Sequence, residues 1–429
     1  MKSKIVILFI SFLYCYIIIN QENYGPFYWD TSGYYVYLPA TFIYNDVGKL
    51  AFYPKVINDH NLNNHELFGI SEQPATGRRL DKYPVGTAIC EAPFFFIAHS
   101  YALITEPEKA DGYTPPYWLA IVFGGVCWVA AGLWFLRKLL LRYFSDHVTT
   151  ITLLLIGFAT NLYFYVVMSA GMSHTYSFAL FCILAYLCDE WVRSGRKYMA
   201  ALIGIVSGII VLVRPTNAPV LLMPLCWGLK DMSIKQLLGF YKRQSAGIVA
   251  AVLLFGLLLL VQLSYWKYVT GNWLVYSYGG EHFNFSDPQL FNGLFSYAKG
   301  WFVYTPVALV AVAGLWPLYR RNRALALLLL LHLSLSVYLV FSWAQWSYGG
   351  SFGCRPLIEV FGLLALPLAA LIDATLKKRK LMLTIPLFIF LSFVTVLNMF
   401  QSFQLKKNVI QWDFTDKKSY WATFGKIPE

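Results

Sequence analysis

The stretch Val249–Val261 reads VAAVLLFGLLLLV and carries no charged side chain. With its flanks, such a run is long enough to cross the hydrocarbon core of a bilayer as a helix. Similar charge-free runs occur at Ile5–Ile19, Leu202–Val213, Ala324–Val340 and Leu381–Leu397. The whole sequence is 58% hydrophobic and only 13% charged, with a mean hydropathy of +0.53. These values predict an all-α polytopic membrane protein in which residues 1–429 form a single membrane domain.

The positive charges are grouped rather than spread along the chain. A formal net charge of +12 would suit a nucleic-acid partner, but Lys and Arg fall mostly at the ends of apolar runs, as the positive-inside rule predicts. We therefore expect no nucleic-acid partner, a location in the cell inner (plasma) membrane, and a cytoplasmic N-terminus. The clusters expected in the cytoplasm are Arg137–Arg142, Arg193–Lys197, Lys230–Arg243, Arg320–Arg323 and Lys377–Lys380.

About eleven transmembrane helices place every basic cluster on that side. They are predicted at 4–20, 117–137, 149–169, 175–192, 199–213, 217–229, 244–266, 301–319, 323–342, 356–375 and 381–400. The segment Tyr83–Ile104 is then expected on the outer surface, because another crossing would put the cluster at Arg137 on the wrong side. The long connections are all extracytoplasmic: a first loop with interfacial helices at 21–116, loops at 267–300 and 343–355, and a tail at 401–429.

The sequence shows no pattern typical of a metal or nucleotide site. The seven cysteines lack the paired spacing of a zinc site, and Tyr276, Glu281, His282 and Asp287 match no known metal motif. A Gly-rich phosphate loop is also absent from the sequence. We expect no metal and no bound cofactor. We also expect a monomer, since no helix stands out as an association surface.

The segment Tyr28–Ala40 follows the first helix and places one carboxylate, Asp30, beside an aromatic stretch at the membrane edge. Burial there should raise the pKa of Asp30. A carboxylate in this position can accept a proton from an acceptor hydroxyl, as a general base in sugar transfer. It can also cap the following helix. We favour the catalytic role.

Several cations are predicted on the outer side: Arg79, Lys82, Arg214, Lys299 and Arg355. Arg214 opens the junction 214–217 between two segments that are short for a crossing, so it should lie below the outer surface. Charge at membrane depth is costly and usually functional, and arginine donates two parallel hydrogen bonds to phosphate. We predict a lipid-phosphate site formed by Lys82, Arg214, Arg355 and Arg79.

Further polar and aromatic residues are predicted near the same surface. His174, in an outer turn, can hydrogen-bond the donor or the acceptor, or can be a satisfied structural histidine. The loop Trp343–Pro356 combines glycines, indoles, hydroxyls and an arginine. Trp and Tyr offer flat faces to sugar rings, although they also anchor proteins at membrane surfaces. The residues predicted to bind the sugar or the acceptor are Tyr35, Trp346, Tyr348 and Glu281.

An Asp just after the first transmembrane helix, followed by a long outer loop with interfacial segments, resembles the GT-C superfamily of polyprenyl-phosphate-sugar glycosyltransferases. Protein O-mannosyltransferases and lipid A aminoarabinose transferases belong to that group. Asp30 matches the catalytic aspartate of the family by position. The segment Lys82-Tyr83-Pro84-Val85-Gly86 is similar to a Lys-Pro-Pro-Leu segment whose lysine contacts the lipid phosphate, and 343–356 resembles a substrate-binding loop of these enzymes.

The resemblance implies an inverting glycosyltransferase that moves a sugar from a polyprenyl-phosphate donor to a lipid, glycan or protein acceptor outside the cytoplasm. Two other classes stay open. A lipid-linked-sugar transporter or flippase would also need buried charge, but usually has repeated halves, and none is visible here. An O-antigen ligase or polymerase would concentrate its arginines in a large late loop, whereas the largest loop here comes first. A scaffolding protein would have little use for these charges.

Overall fold

The computed structural model describes residues 2–21, 25–62, 67–378 and 380–428. Residues 22–24 and 63–66 of the predicted first loop, residue 379 of the last basic cluster, and both terminal residues lie outside this description. The helices of the first half are α1 Lys2–Ile19, α2 Asp30–Phe42, α3 Tyr53–Asp59, α4 Gly86–Thr105, α5 Pro115–Leu140, α6 Asp146–Phe158, α7 Leu162–Val167, α8 Ser173–Ser194 and α9 Lys197–Val213.

The helices of the second half follow in the same order. They are α10 Leu222–Cys226, α11 Ile234–Arg243, α12 Ser245–Thr270, α13 Leu290–Phe295, α14 Trp301–Tyr304, α15 Val307–Ala313, α16 Leu315–Arg321, α17 Arg323–Phe341, α18 Phe361–Lys378, α19 Leu381–Lys406 and α20 Lys417–Thr423. Short 3-10 turns occur at Pro107–Lys109, Pro215–Leu221, Trp227–Lys230 and Arg355–Leu357. The strands β1 Ile70–Gln73 and β2 Arg78–Asp81 form an antiparallel hairpin in which Ile70 pairs with Asp81.

Among the described residues, seven helices are long and apolar enough to cross a membrane: α1, α4, α5, α8, α12, α17 and α19. The prediction of an all-α polytopic membrane protein is therefore confirmed in its coarse form, with one small hairpin added. The number of about eleven crossings stays a prediction. Some predicted continuous helices are interrupted: 149–169 forms α6 and α7, 301–319 forms α14 to α16, and 217–229 forms α10 flanked by 3-10 turns. Pro306 lies at the first break in 301–319, as proline disfavours a continuous helix.

The basic clusters gather at one end of the helical body, which we call the basic end. The Lys2 backbone N–H donates to Asp146 Oδ2 over 3.0 Å, and Arg137 Nε donates to Ser3 Oγ over 2.7 Å. α1 and α5 therefore run antiparallel. Nearby, Asp189 is fully buried and pairs with Arg142, Arg193 and Lys230. This grouping is what a common membrane side for these clusters requires.

Helix α4 covers only part of α5. Cys90 O accepts a hydrogen bond from Trp128 Nε1 over 2.9 Å, while His99 Nδ1 lies 2.6 Å from Tyr117 Oη. The two helices are therefore antiparallel, and α4 contacts the first half of α5, away from Arg137. The outer position of α4 stays a prediction, because its length and composition would also permit a crossing.

The predicted first loop is a folded layer with its own apolar core. Phe27, which precedes α2, packs there with buried aromatic residues of α2, α3, α4 and the start of α5, among them Tyr35, Tyr53, Phe95 and Tyr117. A separate, larger core lies between the long helices. Because this layer is packed rather than loose, it can hold the start of α2 in a fixed position.

The later connections pack against the same end of the body. Asn284 N donates to Ser342 O over 2.6 Å and Ala344 N donates to His282 O over 2.9 Å, joining the second outer loop to the third. The buried Lys299 ammonium donates to Ser351 O and Trp412 O over 2.5 and 2.6 Å, tying the C-terminal tail to the third loop. The predicted outer loops and the tail thus form one layer.

Candidate functional site

Asp30 is the first residue of α2, and both of its carboxylate oxygens are engaged. Oδ1 accepts a hydrogen bond from Tyr83 Oη over 2.5 Å, and Oδ2 lies 2.8 Å from Arg355 Nη2. The side chains of Asp30 and Arg355 are only 15% and 17% exposed. The preceding residue, Trp29, has a positive φ of 51° and its side chain makes no capping hydrogen bond. Asp30 therefore contacts a cation and a phenol instead of serving as the cap of α2.

Two glycines allow this close arrangement. A Cβ at Gly33, one turn after Asp30, would lie 2.3 Å from the Tyr83 ring. A Cβ at Gly86, the first residue of α4, would lie 2.1 Å from the backbone N of Val213, the residue before Arg214. Larger residues at either position would push the segment 82–86 away from α2 or from α9. The glycines therefore bring Tyr83 and Arg214 towards Asp30.

The charge environment of Asp30 differs from the expectation. Burial alone would raise its pKa, but the Arg355 guanidinium, the Tyr83 hydroxyl and the charges of Lys82 and Arg214 together lower the pKa below its ordinary value. The prediction of a raised pKa was wrong, because it considered burial without the cations that the fold brings near. Asp30 is therefore ionised at neutral pH.

A second carboxyl group lies close to the first and has the opposite character. Asp81 is 1% exposed, and its Oδ1 accepts the backbone N–H of Tyr83 over 2.9 Å. Burial raises its pKa well above the ordinary value, against the opposing effects of that N–H and of Lys82. Two carboxyl groups with pKa values shifted in opposite directions can take different roles. Asp30 is the ionised one.

Arg214 belongs to a buried acid–base group that includes a residue absent from the predicted site. Glu359, 1% exposed, has Oε1 at 3.0 Å from His174 Nδ1 and at 3.7 Å from Arg214 Nε. Arg214 Nη1 lies 3.5 Å from Ser173 Oγ. His174 is fully buried, and Glu359 is its ion-pair partner among the described residues. A carboxylate four residues after Arg355, inside an apolar stretch, was a sequence signal that should have revealed Glu359.

Lys82 and Glu281 form an ion pair with a Nζ–Oε1 distance of 2.9 Å. The sequence predicted Lys82 as a phosphate ligand and Glu281 as a sugar or acceptor ligand, and the structure brings the two together. The rings of Phe68 and Tyr278 lie 5.1 and 5.6 Å from the ammonium, so a flat apolar wall surrounds the cation. Glu281 thus holds Lys82 in the absence of another anion.

Other predicted site residues fall elsewhere. Tyr35 is 1% exposed, stacks on Phe27 with ring centroids 4.1 Å apart, and donates to Gly112 O over 2.5 Å, so it has a packing role in the outer core. Arg79 contacts Glu72 and Leu50 O, at 3.6 and 3.3 Å, and its described contacts do not reach Asp30.

The two predicted residues of the third loop differ in position. Tyr348 has a positive φ of 55° and donates to Val340 O over 2.8 Å, close enough to Arg214 and Arg355 for their charges to act on it. Trp346 lines a separate surface cleft. Only Tyr348 therefore belongs to the surroundings of the charged cluster.

An apolar groove of about 470 Å³ begins on the other side of Tyr83. Residues from α2, α4 and α12 line it, among them Leu38, Ala88, Ile89, Val261 and Tyr265. Tyr37, also in the lining, donates to Tyr83 O over 2.6 Å. Tyr37 and Tyr83 thus link the lining of the groove to Asp30. Along α12 few side chains are buried, so the groove borders a surface suited to lipid.

The described residues contain no group of three or more His, Cys, Asp or Glu side chains placed to hold a metal ion. The chain matches no known protein family, and no curated protein matches it. The site combines the ionised Asp30, three cations that each contact a carboxyl group, and a neighbouring apolar groove.

Proposed function

We propose that this protein is an inverting glycosyltransferase that takes a sugar from a polyprenyl-phosphate donor. The observation that carries the proposal is the Asp30–Arg355 ion pair, with Lys82 and Arg214 close enough to act on the same carboxylate. A base beside several cations is the combination that this reaction needs. The base activates the acceptor, and the cations hold the phosphate that leaves.

The donor fits the shape of the site in two parts. Its prenyl chain enters the apolar groove between α2, α4 and α12, and its phosphodiester lies on the far side of Tyr83, among Arg355, Arg214 and Lys82. Each of these cations now has a carboxylate partner: Asp30, Glu359 and Glu281 respectively. An incoming phosphate replaces those carboxylates as the anion, so the cations are already oriented before the donor arrives.

The chemical step uses Asp30 as the general base. Asp30 takes the proton from an acceptor hydroxyl or amine, and the freed electron pair attacks the anomeric carbon from the face opposite the phosphate. The bond between that carbon and the phosphate oxygen breaks, and polyprenyl phosphate leaves with the bonding electrons. The anomeric configuration inverts. No acid is needed at the leaving group, because Arg355, Arg214 and Lys82 stabilise the new charge.

Arg355 has two roles in this scheme. While it pairs with Asp30, it lowers the pKa of that carboxylate and weakens it as a base. When the donor phosphate draws Arg355 away, the pKa of Asp30 rises and the base becomes stronger. Donor binding therefore activates the acceptor side of the reaction. His174 supports Arg214 through Glu359 and has no direct contact with the donor.

We place the protein in the inner membrane, with its basic end in the cytoplasm and the Asp30 site outside. The gathering of Arg137, Arg142, Lys230 and Arg193 at the end away from Asp30 supports this orientation. Donor and acceptor then meet in the outer layer, and the C-terminal tail, tied to Lys299, is also outside.

A lipid-linked-sugar transporter is the second candidate. The buried His174–Glu359 contact favours it, because buried acid–base pairs between helices serve as proton relays in transport proteins. Such a protein would move the intact lipid-linked sugar across the membrane and would break no bond.

The deciding experiment measures transfer of radiolabelled sugar from a panel of polyprenyl-phosphate sugars to membrane extracts. Wild type is compared with Asp30→Asn and with the control Asp59→Asn, whose exposed carboxylate pairs with Lys55. Loss of transfer in Asp30→Asn alone supports the proposal. Equal transfer removes Asp30 as the base. Absence of transfer by wild type, together with donor translocation in proteoliposomes, makes the transporter the better account.

A further inference from the structure

A surface cleft of about 270 Å³ lies between the second and third outer loops. Its walls combine two indoles with planar polar side chains. The lining includes His282, Asn284, Asp287, Gln289, Trp343 and Trp346. Both tryptophans are half-buried, while Asn284 and Asp287 are exposed. The cleft belongs to neither the charged cluster nor the apolar groove.

The backbone holds this cleft in a defined shape. Phe283 and Trp343 form an antiparallel bridge, flanked by Asn284 N to Ser342 O and Ala344 N to His282 O. Further along, Gln289 N donates to Phe341 O over 2.8 Å. Two segments that are far apart in sequence are thus locked side by side. Polar side chains on such a scaffold are preorganised for a ligand.

The polar side chains of the cleft hydrogen-bond to one another, and some of their donors and acceptors remain available to a ligand. Gln289 Nε2 donates to Asp287 Oδ2 over 3.2 Å, and Ser286 Oγ donates to Asn284 Oδ1 over 2.9 Å. The Asn284 amide N–H groups, Asp287 Oδ1 and the Trp346 indole N–H have no hydrogen-bond partner among the described residues. Free donors and acceptors fixed beside an indole face are the groups that bind the hydroxyls and the apolar face of a sugar ring.

Other ligand classes fit less well. No Lys or Arg is among the described residues that line the cleft, so phosphates and nucleotides lack a cation. The negative charge of Asp287 also disfavours anions. A lipid chain would cover the amide and carboxylate groups without offering them hydrogen-bond partners, which is unfavourable. An uncharged saccharide satisfies both the polar groups and the indoles.

A row of rings connects the cleft with the charged cluster. Trp343 contacts Tyr278 with ring centroids 5.5 Å apart, and Tyr278 contacts Tyr83 at 6.4 Å. Tyr83 is the hydrogen-bond donor to Asp30. A ligand in the cleft is therefore linked to the proposed base through Trp343, Tyr278 and Tyr83.

We propose that this cleft binds a neutral saccharide portion of the acceptor, remote from the reacting group. This identification of the acceptor as a glycan or glycolipid rests on the transferase proposed above, whereas the binding itself requires neither donor nor Asp30. The cleft thus positions the acceptor so that one end reaches Asp30.

The test measures binding of fluorescently labelled full-length protein, in lipid nanodiscs, to an immobilised panel of short neutral oligosaccharides. Nanodiscs avoid the sugar head groups of maltoside detergents. We expect wild type to bind members of the panel, and Trp346→Ala and Asp287→Asn to reduce the affinity roughly tenfold. The matched control is Trp273→Ala, which removes an exposed indole of the same loop that does not line the cleft.

Each outcome bears on one proposal. Binding by wild type and Trp273→Ala, with loss in the two cleft variants, supports the saccharide site. Failure of wild type to bind any panel member, or equal binding by all variants, overturns it. Asp30→Asn should bind normally. If wild type binds saccharides but transfers no sugar, the cleft assignment survives and the transferase proposal fails. Thermal melting of each variant excludes loss of fold as the cause.

Discussion

Arg355 Nη2 lies 2.8 Å from Asp30 Oδ2, so a residue of the third outer loop neutralises the first residue of α2. Both side chains are largely buried. The pair joins the layer formed by the predicted first loop to the third loop, and it holds the proposed base and a proposed phosphate ligand in one unit. Replacing one residue of such a buried ion pair destabilises the fold, because the remaining charge has no partner.

The first prediction concerns this pair. Asp30→Asn and Arg355→Met should each lower the free energy of unfolding by about 3 kcal/mol, since each leaves one buried group unpaired. The double variant should lose less than the sum, with a coupling energy of about 1–3 kcal/mol. Denaturant titration of the purified protein measures all four species. Additive losses would show that the two side chains do not interact.

The second prediction concerns pH. The Tyr83 hydroxyl donates to Asp30 and, with Arg355, keeps the pKa of that carboxylate below its ordinary value. Tyr83→Phe removes this hydrogen bond, so the pKa of Asp30 rises. Because a base must be ionised to act, the acid limb of the transfer rate against pH should move to higher pH. Tyr198→Phe, which removes an exposed hydroxyl beside Arg196 at the basic end, should leave the profile unchanged. An unshifted acid limb in Tyr83→Phe would contradict the assignment.

The third prediction distinguishes the role of Lys82 in donor binding from that of Arg79. Glu281→Gln frees Lys82 from its carboxylate partner, so the donor phosphate meets less competition. The KM for the donor should fall about fivefold, the equivalent of about 1 kcal/mol for a partly exposed pair, and the effect should shrink at high salt. Lys82→Met should raise the KM. Glu72→Gln releases Arg79 in the same way but should not change the KM, because Arg79 lies outside the cluster.

The fourth prediction concerns Glu359. Glu359→Leu leaves Arg214 without its carboxylate and His174 Nδ1 without a partner, and should lower the free energy of unfolding by about 3 kcal/mol. Glu359→Gln keeps a hydrogen-bonding oxygen for His174 and should cost less. The control Glu106→Leu removes an exposed partner of Lys109 and should change stability by no more than about 0.5 kcal/mol. Equal melting temperatures for Glu359→Leu and this control would argue against a buried structural pair.

Much of the architecture was predictable because lipid-facing helices must be apolar and basic residues mark their ends. The convergence of Asp30, Lys82, Arg214 and Arg355 also agrees with expectation. The sequence did not reveal that Glu281 and Glu359 neutralise two of these cations, since ion pairing depends on which helices pack together. For the same reason, the predicted direction of the pKa shift of Asp30 was wrong.

Single residues on aromatic segments were the least predictable. Tyr35 and Tyr34 are neighbours in α2, yet Tyr35 packs in the outer core while Tyr34 lies against Tyr83 with ring centroids 4.7 Å apart. The helical rotation that separates them is fixed only once α2 docks on α4. The amino-acid composition of α2 does not determine this rotation. The 3-10 turns around α10 likewise follow from prolines whose local effect depends on their neighbours.

The last prediction fixes the orientation of the chain and the position of α4. Single cysteines are introduced at exposed positions by Lys55→Cys, Glu108→Cys, Lys235→Cys and Ser286→Cys, and intact cells are treated with a membrane-impermeant thiol reagent. We expect labelling at 55, 108 and 286 in intact cells, and at 235 only after lysis, with the parent protein reporting any labelling of its native cysteines. Residues 55 and 108 are decisive for α4 because they lie before and after it. If α4 crosses the membrane, 55 and 108 will be labelled from opposite sides. If instead 235 is labelled in intact cells and 286 is not, the site faces the cytoplasm.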